Sequence, residues 1–504
     1  MNHRLLAKYP LTLWALQAGC LIGLFVGLLM DSALLGTAMF VLLAVVGCTW
    51  RRNETPVVPF LLGYQWCAIT AGYWYYVFTG IFPTAYALGD LERTVQLSLA
   101  GLVTLAAGIR LVRDSVSKAD EGQEATFSVR RLNRLFWFVI VIYGIDYIRA
   151  FNTKSFGGLD IPLTILLEFR HVLLMVLWYE TIRHGSNRRY LWLSLAWVFV
   201  PSLGSYFSDF KTPLILLFLV SLQFWQPWEP KSWKWSIASW TRTVGLLVVA
   251  LFLMLVWQAG VKKEARRIYD EGLVNGRLDR AELFVKQVAA AVPEVIDDPR
   301  PSIEILISRL SYIGFFSRVL EYVPAVEPHA NGELLQMALT NAFMPRLLFP
   351  SKPVLPSDSY YTRRFTGIMV AEEGTSISIG YMAEFYADWG LAGMFLSILG
   401  YGCLIGACIE TVRRFVQPSI LVSPFLVMLM MTVYQFEHQF IKTFAALIST
   451  TVAALVIQRV GRKTFMKTFG VEPETSEDAA ETAVTAPERR YRTLPRAGTT
   501  LPHA

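Results

Sequence analysis

The chain has 504 residues, of which 54% are hydrophobic and only 17% are charged, and its formal net charge is +7. This composition excludes an ordinary soluble globular protein, in which about a quarter of the residues are charged. The basic residues lie beside apolar segments and form no single patch, so they indicate membrane topology and no nucleic-acid partner. We therefore predict an all-α fold, a polytopic bundle of transmembrane helices.

Apolar segments of about 20 residues, long enough to cross a bilayer, recur along the chain. The first follows a basic start and lacks a small-residue cleavage site, so we interpret it as a retained signal-anchor. We predict twelve spans, at residues 10–30, 34–50, 57–80, 94–112, 135–151, 161–181, 190–208, 211–226, 237–257, 384–409, 420–436 and 440–458.

Basic residues predict the orientation of these spans. With the N-terminus inside, the short inner connections hold 18 Lys and Arg, against five in the short outer ones. This asymmetry follows the positive-inside rule. It predicts a multi-pass protein of a bacterial inner membrane with both termini cytoplasmic. Residues 1–257 then carry nine spans, 258–383 form a large extracytoplasmic loop, 384–458 carry three spans, and 459–504 form a largely disordered tail.

The large loop is expected to hold the function. Residues 261–290 and 302–322 have roughly helical apolar spacing, whereas the Pro-rich segment 344–365 predicts an ordered loop without a helix. The five cysteines all lie in or beside predicted spans. We therefore predict neither a disulfide framework nor a cysteine-based metal site in the loop, and no cluster of His, Cys and carboxylates there offers three or four metal ligands.

Ionisable residues within apolar spans are costly and mark candidate sites. The sixth span contains Glu168, Arg170 and His171, and the first and last of these are three residues apart on one helix face. They can pair or line a polar cavity. Asp146 and Arg149 repeat this spacing in the fifth span. The alternative for both groups is an internal salt bridge that locks helices together.

The start of the tenth span presents Tyr381, Glu384 and Asp388 on one helix face. Two carboxylates four residues apart repel each other when both are ionised, a condition suited to general acid or base catalysis. The alternative is that they hold the loop down through its arginines. Between the last two spans, His438 and Lys442 lie one turn apart, and His438 is a third candidate for the catalytic base.

Basic residues of the loop are interleaved with aromatic ones. Arginine binds phosphate oxygens through a planar fork, and aromatic rings stack on sugar faces. The combination suits a sugar joined to a membrane lipid through pyrophosphate; the alternative is a charge-balanced solvated loop. The basic candidates are Arg309, Arg318, Arg346, Lys352, Arg363 and Arg364.

The order of these motifs resembles the oligosaccharide repeat-unit polymerases, the O-antigen polymerases of the Wzy type. The resemblance is carried by Arg309 and Arg318, then MPRLLFPSKP at 344–353, then IGYMAEFYADWGLAG at 379–393. The segment 205–219 is similar to a turn in which that family has an arginine before an apolar helix. Here Lys211 stands in that place, and lysine lacks the bidentate fork.

The resemblance implies a glycosyltransferase C-like membrane enzyme without a cofactor. Its substrate is an oligosaccharide on undecaprenyl pyrophosphate at the periplasmic face. Glu384, Asp388 or His438 would act as the base, and Lys211, Arg170 and His171 would join the loop's basic residues in binding substrate or pyrophosphate. Membrane lipids and a chain-length regulator are the expected partners. An O-antigen ligase, or a transporter or flippase of lipid-linked sugars, is the alternative.

Overall fold

A computed structural model gives the architecture of the chain. It describes residues 9–52, 54–82, 89–115, 125–126, 129–150, 160–184, 187–203, 211–223, 252, 255–256, 277–344, 349, 355–369, 377–469 and 472–473.

These residues are almost entirely helical. The first half contains α1 (Thr12–Leu29), α2 (Ala33–Thr49), α3 (Val57–Thr79), α4 (Leu91–Ser115), α5 (Val129–Ala150), α6 (Asp160–His184), α7 (Arg188–Leu203) and α8 (Lys211–Gln223). The second half contains α9 (Arg277–Asp297), α10 (Arg300–Leu310), α11 (Ile313–Tyr322), α12 (Glu333–Phe343), α13 (Asp358–Thr366), α14 (Tyr381–Phe415), α15 (Ser419–Met431) and α16 (Phe440–Phe469). Two two-residue strands, Ala125–Thr126 and Glu472–Pro473, pair antiparallel.

The helices are those of a membrane protein. Four of them, α1, α4, α14 and α16, are long and apolar enough to cross a bilayer, and α2, α15 and residues Thr212–Gln223 of α8 are shorter apolar helices. Exposed side chains agree with this, because α16 presents Val452, Val456 and Val460, one turn apart and each more than half exposed. In water such a stripe would be costly, whereas lipid solvates it. Each predicted span except 237–257, most of which lies outside the described residues, coincides with a helix.

The centre of the bundle is the contact between α4 and α14. Glycines permit it, since a β-carbon at Gly108 would overlap the Leu399 carbonyl oxygen and one at Gly402 would overlap that of Leu105. Small residues let helix backbones approach closely, which is how helices associate in lipid. The two helices run in the same direction, because the ends of both meet in the ion network described next.

Buried ion pairs join the connection between α2 and α3 to α4 and α14 at one end of the bundle. Glu410 accepts from Arg51 at 2.8 Å and from Arg113 at 3.2 Å, and Arg413 lies 2.8 Å from Glu54. Burial alone would raise the pKa of Glu54, but the cations Arg113, Arg413 and Arg51 together hold that pKa below its ordinary value. These arginines are among those assigned to the cytoplasmic side by their positions in the sequence, and the structure brings them together.

The short helices α11, α12 and α13 lie at the opposite end, where α14 and α16 begin. The prediction that 344–365 contains no helix is wrong at its C-terminal part, because α13 starts at Asp358. Ser357 caps it by accepting from the backbone N–H of Tyr360, and the prolines of the segment all precede this cap. The predicted helix 302–322 is interrupted at Ser311 and Tyr312, between α10 and α11.

Candidate functional site

The first two turns of α14 carry three sequence-predicted residues, and the structure gives each a different partner. Tyr381 donates from its hydroxyl to Gln65 Oε1 on α3 at 2.9 Å. Glu384 contacts the start of α16, and Asp388 contacts the start of α12. Gly390 then breaks the helix geometry with a φ of 69°, a value that favours glycine. The predicted common face therefore divides among three neighbouring elements.

Asp388 holds α12 in place. Its buried carboxylate accepts from the backbone N–H groups of Gly332, Leu334 and Leu335 at 2.9, 3.2 and 3.1 Å. These are donors of the first helical turn, which have no partner within the helix. A negative charge also stabilises a helix N-terminus. This geometry favours the structural alternative for Asp388 over the catalytic one.

Glu384 is buried, and only one of its two carboxylate oxygens has a hydrogen-bond partner among the described residues. Its side-chain Oε2 accepts from the backbone N–H of Phe440 at 2.9 Å, which ties α14 to the first residue of α16. Its other oxygen, Oε1, has no hydrogen-bond partner among the described residues. A buried carboxylate oxygen without a partner is energetically costly and is characteristic of functional sites. Glu384 is therefore the candidate base that this geometry favours.

Charged and aromatic groups of α13 and α16 surround Glu384. Lys442 on α16 contacts Asp358 on α13 through an ion pair of 2.6 Å, and both groups act electrostatically on Glu384. Tyr361, also on α13, is buried, and burial together with nearby Glu333 raises its pKa to about 12. Its hydroxyl therefore stays protonated at neutral pH. His438, the third candidate base, is exposed in the segment before α16.

Arg364 is engaged by acidic residues of the loop. Its Nε donates to Glu327 at 2.7 Å, and its Nη1 donates to both carboxylate oxygens of Glu333 at 2.8 and 2.9 Å. The hydrogen bonds to Glu333 in particular raise the pKa of the guanidinium. Since Glu333 opens α12, Arg364 fastens α13 to α12. This role is structural and differs from the predicted phosphate contact.

The guanidinium of Arg318 makes one hydrogen bond to a backbone carbonyl and one ion pair with a half-exposed carboxylate. Its Nε donates to the carbonyl oxygen of Thr366, at the end of α13, at 2.9 Å. Its Nη1 lies 2.8 Å from Glu321, whose side chain is half exposed. Exposed ion pairs contribute about 0–1 kcal/mol, so a phosphate could replace Glu321 at little cost. Arg318 is thus an oriented guanidinium with an exchangeable partner.

Of the loop's remaining basic candidates and Lys211, the structure describes the side chains of Arg309 and Arg363 only. Arg309 is exposed on the last turn of α10, and Arg363 is half-buried on α13 beside Arg364. Arg346 and Lys352 lie outside the described residues. Lys211 begins α8, and its side chain is outside the description.

The sixth-span cluster forms a chain of polar contacts on α6. His171 Nε2 lies 3.1 Å from Glu168, and its Nδ1 lies 2.7 Å from the hydroxyl of Tyr143 on α5. Arg170 pairs with Asp146 at 3.3 Å. The expected pair of Glu168 and His171 is therefore present. Asp146 has Arg170 as its described partner, while the side chain of Arg149, the partner expected from spacing, lies outside the description.

Sequence reasoning missed Asp358 as part of the site. The signal was available, since Ser357 followed by an acidic residue after a proline is typical of a helix N-terminus. Tyr143 was also missed. Tyr143 and His171 are 28 residues apart and lie on different helices, so helical spacing in the sequence does not indicate their contact.

A family model described as a domain of unknown function (DUF8712) matches residues 92–415, from the start of α4 to the end of α14. No curated protein matches the chain. No solved structure matches it either.

Proposed function

The chain belongs to the DUF8712 family, whose matched residues 92–415 include Glu384 and α13, and we propose that it polymerises oligosaccharide repeat units linked to undecaprenyl pyrophosphate. The reaction takes place at the periplasmic face of a bacterial inner membrane, within a glycosyltransferase C-like bundle of about twelve spans. The N- and C-termini face the cytoplasm. The proposal is supported by the motif resemblance and by one structural observation: a buried glutamate with an unpartnered oxygen beside the arginine-bearing helix α13.

In the proposed reaction, a hydroxyl of the acceptor repeat unit attacks the anomeric carbon of the growing chain. Glu384 takes the hydroxyl proton, a new C–O bond forms, and the bond from the anomeric carbon to the pyrophosphate oxygen breaks. General base catalysis of this kind contributes about 10²- to 10⁴-fold to a rate. Undecaprenyl pyrophosphate leaves as an anion and needs cationic stabilisation.

Among the described basic residues of the loop, Arg318 has the contacts that best fit the leaving group. Arg318 is oriented by the Thr366 carbonyl and loses only an exposed partner when it binds phosphate. Arg364 serves the site indirectly, since its ion pairs with Glu327 and Glu333 hold α13 against α12. Asp388 has the corresponding role at the start of α12. Glu384 and Arg318 thus lie on elements that several buried contacts hold in place.

The test is complementation of a strain that lacks the gene. The wild-type gene should restore long polysaccharide, whereas the Glu384→Gln variant should leave single repeat units on the lipid. Glutamine keeps an oxygen for the Phe440 N–H, so the variant should fold and insert. Glu304→Gln, at an exposed position on α10, is the matched control and should restore polymer fully.

The alternatives give different products. Accumulation of finished polymer that is not joined to its final acceptor would indicate a ligase. Repeat units retained on the cytoplasmic leaflet would indicate a flippase. Normal polymer in cells that carry Glu384→Gln would reject Glu384 as the base.

A further inference from the structure

A cavity of about 310 Å³ opens between α6, α8, α15 and α16. Its wall is separate from the groups around Glu384 described above. It is lined by Glu168, His171, Thr212, Leu216, Met428, Met431, Thr432, Tyr434, Gln435 and Thr450.

The cavity and Glu384 are joined by one short stretch of chain. Gln435 lines the cavity, and Phe440, whose N–H binds Glu384, is five residues further on. Five residues span at most about 18 Å even when fully extended. A ligand in the cavity therefore lies close enough to Glu384 to belong to one extended substrate.

The polar groups that line the cavity do not suit phosphate. Glu168 presents a carboxylate whose side chain is 43% exposed, and the described lining contains no lysine or arginine. His171 uses both ring nitrogens, one on Glu168 and one on Tyr143. Arg170 lies 3.3 Å from Asp146 and 3.6 Å from Glu168 and donates to the Leu167 carbonyl, but it is not among the residues that line the cavity. An anion placed here would meet the carboxylate of Glu168, whereas the guanidinium that neutralises this carboxylate lies outside the lining. This site therefore differs from the pyrophosphate contact expected for Arg170 and His171.

The same groups suit a neutral polyhydroxylated ligand. A carboxylate accepts hydrogen bonds from hydroxyl groups, and the threonines and Gln435 can both donate and accept. Tyr434, Leu216 and the methionines supply apolar surface. Small-molecule pockets span about 300–1,000 Å³, and a cavity at the low end of that range fits one ring rather than a chain.

We propose that this cavity binds one neutral sugar ring of the lipid-linked repeat unit, with Glu168 accepting hydrogen bonds from its hydroxyls. His171 and Arg170 orient and neutralise Glu168 and do not contact the ligand's phosphates. This inference rests on the proposed polymerase function, because that function supplies a substrate with both sugar and pyrophosphate. It places one sugar ring of that substrate in the cavity and the pyrophosphate near Arg318.

The test uses purified protein and the lipid-linked single repeat unit that accumulates in the deletion strain. Thr450→Phe fills the cavity without touching the contacts between Glu168, His171 and Tyr143. It should raise the KM for the repeat unit at least tenfold. Val452→Phe lies on the same helix, two residues away on the exposed face, and should behave as wild type. Glu168→Gln should also raise the KM, while Glu168→Asp should recover part of the loss.

Inhibition by the product undecaprenyl pyrophosphate separates sugar from phosphate, since the product has no sugar. Its inhibition constant should change less than twofold in Thr450→Phe. Equal weakening of product inhibition and of repeat-unit use would overturn the inference, because the cavity would then hold the lipid or the phosphates. Kinetics of Thr450→Phe that match Val452→Phe would overturn it as well. Absence of any polymer from the wild-type protein would instead reject the proposed function.

Discussion

Asp388 provides a prediction that separates a structural role from a catalytic one. Its carboxylate serves three backbone N–H donors at the start of α12 and is fully buried. In Asp388→Ala all three donors lose their acceptor. Each unsatisfied buried donor costs about 1–3 kcal/mol, so the total loss should be about 3 kcal/mol or more.

Asp388→Asn is the informative variant. The amide oxygen can keep the bonds to Gly332 and Leu334, but the amide N–H₂ then faces the donor of Leu335. The variant also loses the negative charge at the helix N-terminus. We expect a loss of about 1–3 kcal/mol, intermediate between wild type and Asp388→Ala.

The assay combines stability with activity at two temperatures. Membrane proteins often unfold irreversibly, so stability is measured as the half-life of the folded purified protein at a fixed elevated temperature. The half-lives should fall in the order wild type, Asn, Ala. Polymer formation by the Asn variant should recover at low growth temperature. If Asn left the half-life unchanged but abolished polymer at every temperature, Asp388 would be a catalytic residue and our interpretation would be wrong.

Three further predictions concern the orientation of the chain in the membrane, Arg364 and the inner ion network. A reporter fused near residue 300 should report the periplasm and one after residue 465 the cytoplasm; the reverse would remove the site from the lipid-linked substrate's side. Arg364→Lys should shorten the protein's half-life, because lysine cannot serve Glu327 and Glu333 together. An unchanged half-life would contradict this. Because the folded-state pKa of Glu54 is lowered, its stabilisation is complete above the ordinary Glu range and is lost as pH falls through the lowered value. The wild-type half-life should therefore drop more steeply in that acid range than that of Glu54→Gln, and parallel curves would show that the network contributes nothing.

The sequence predicted the helices well because long apolar runs leave few other structures in lipid. It predicted the local pair of Glu168 and His171, which share one helix face three residues apart. It did not predict that Asp388 caps α12, since that contact joins residues more than 50 positions apart. The spacing of residues along a helix does not show which distant segment a side chain such as Asp388 will contact.

The loop was the least predictable region. Prolines before Ser357 favoured an irregular segment, yet the cap at Ser357 starts α13 directly after them. Helix α12 was not predicted, because its N-terminus is stabilised by Asp388 from another element rather than by its own sequence. The sequence could not show what each loop arginine contacts, whereas the structure gives Arg318 an exchangeable partner and pairs Arg364 with two carboxylates.

The most direct test of the central claim is polymerisation by the purified protein alone. The protein is reconstituted in lipid with lipid-linked single repeat units, and the products are separated by length. We predict a ladder of polymer with release of undecaprenyl pyrophosphate, and at least a hundredfold less product from Glu384→Gln. Single repeat units that remain unextended by folded wild-type protein, or a ladder of equal strength from Glu384→Gln, would contradict the account.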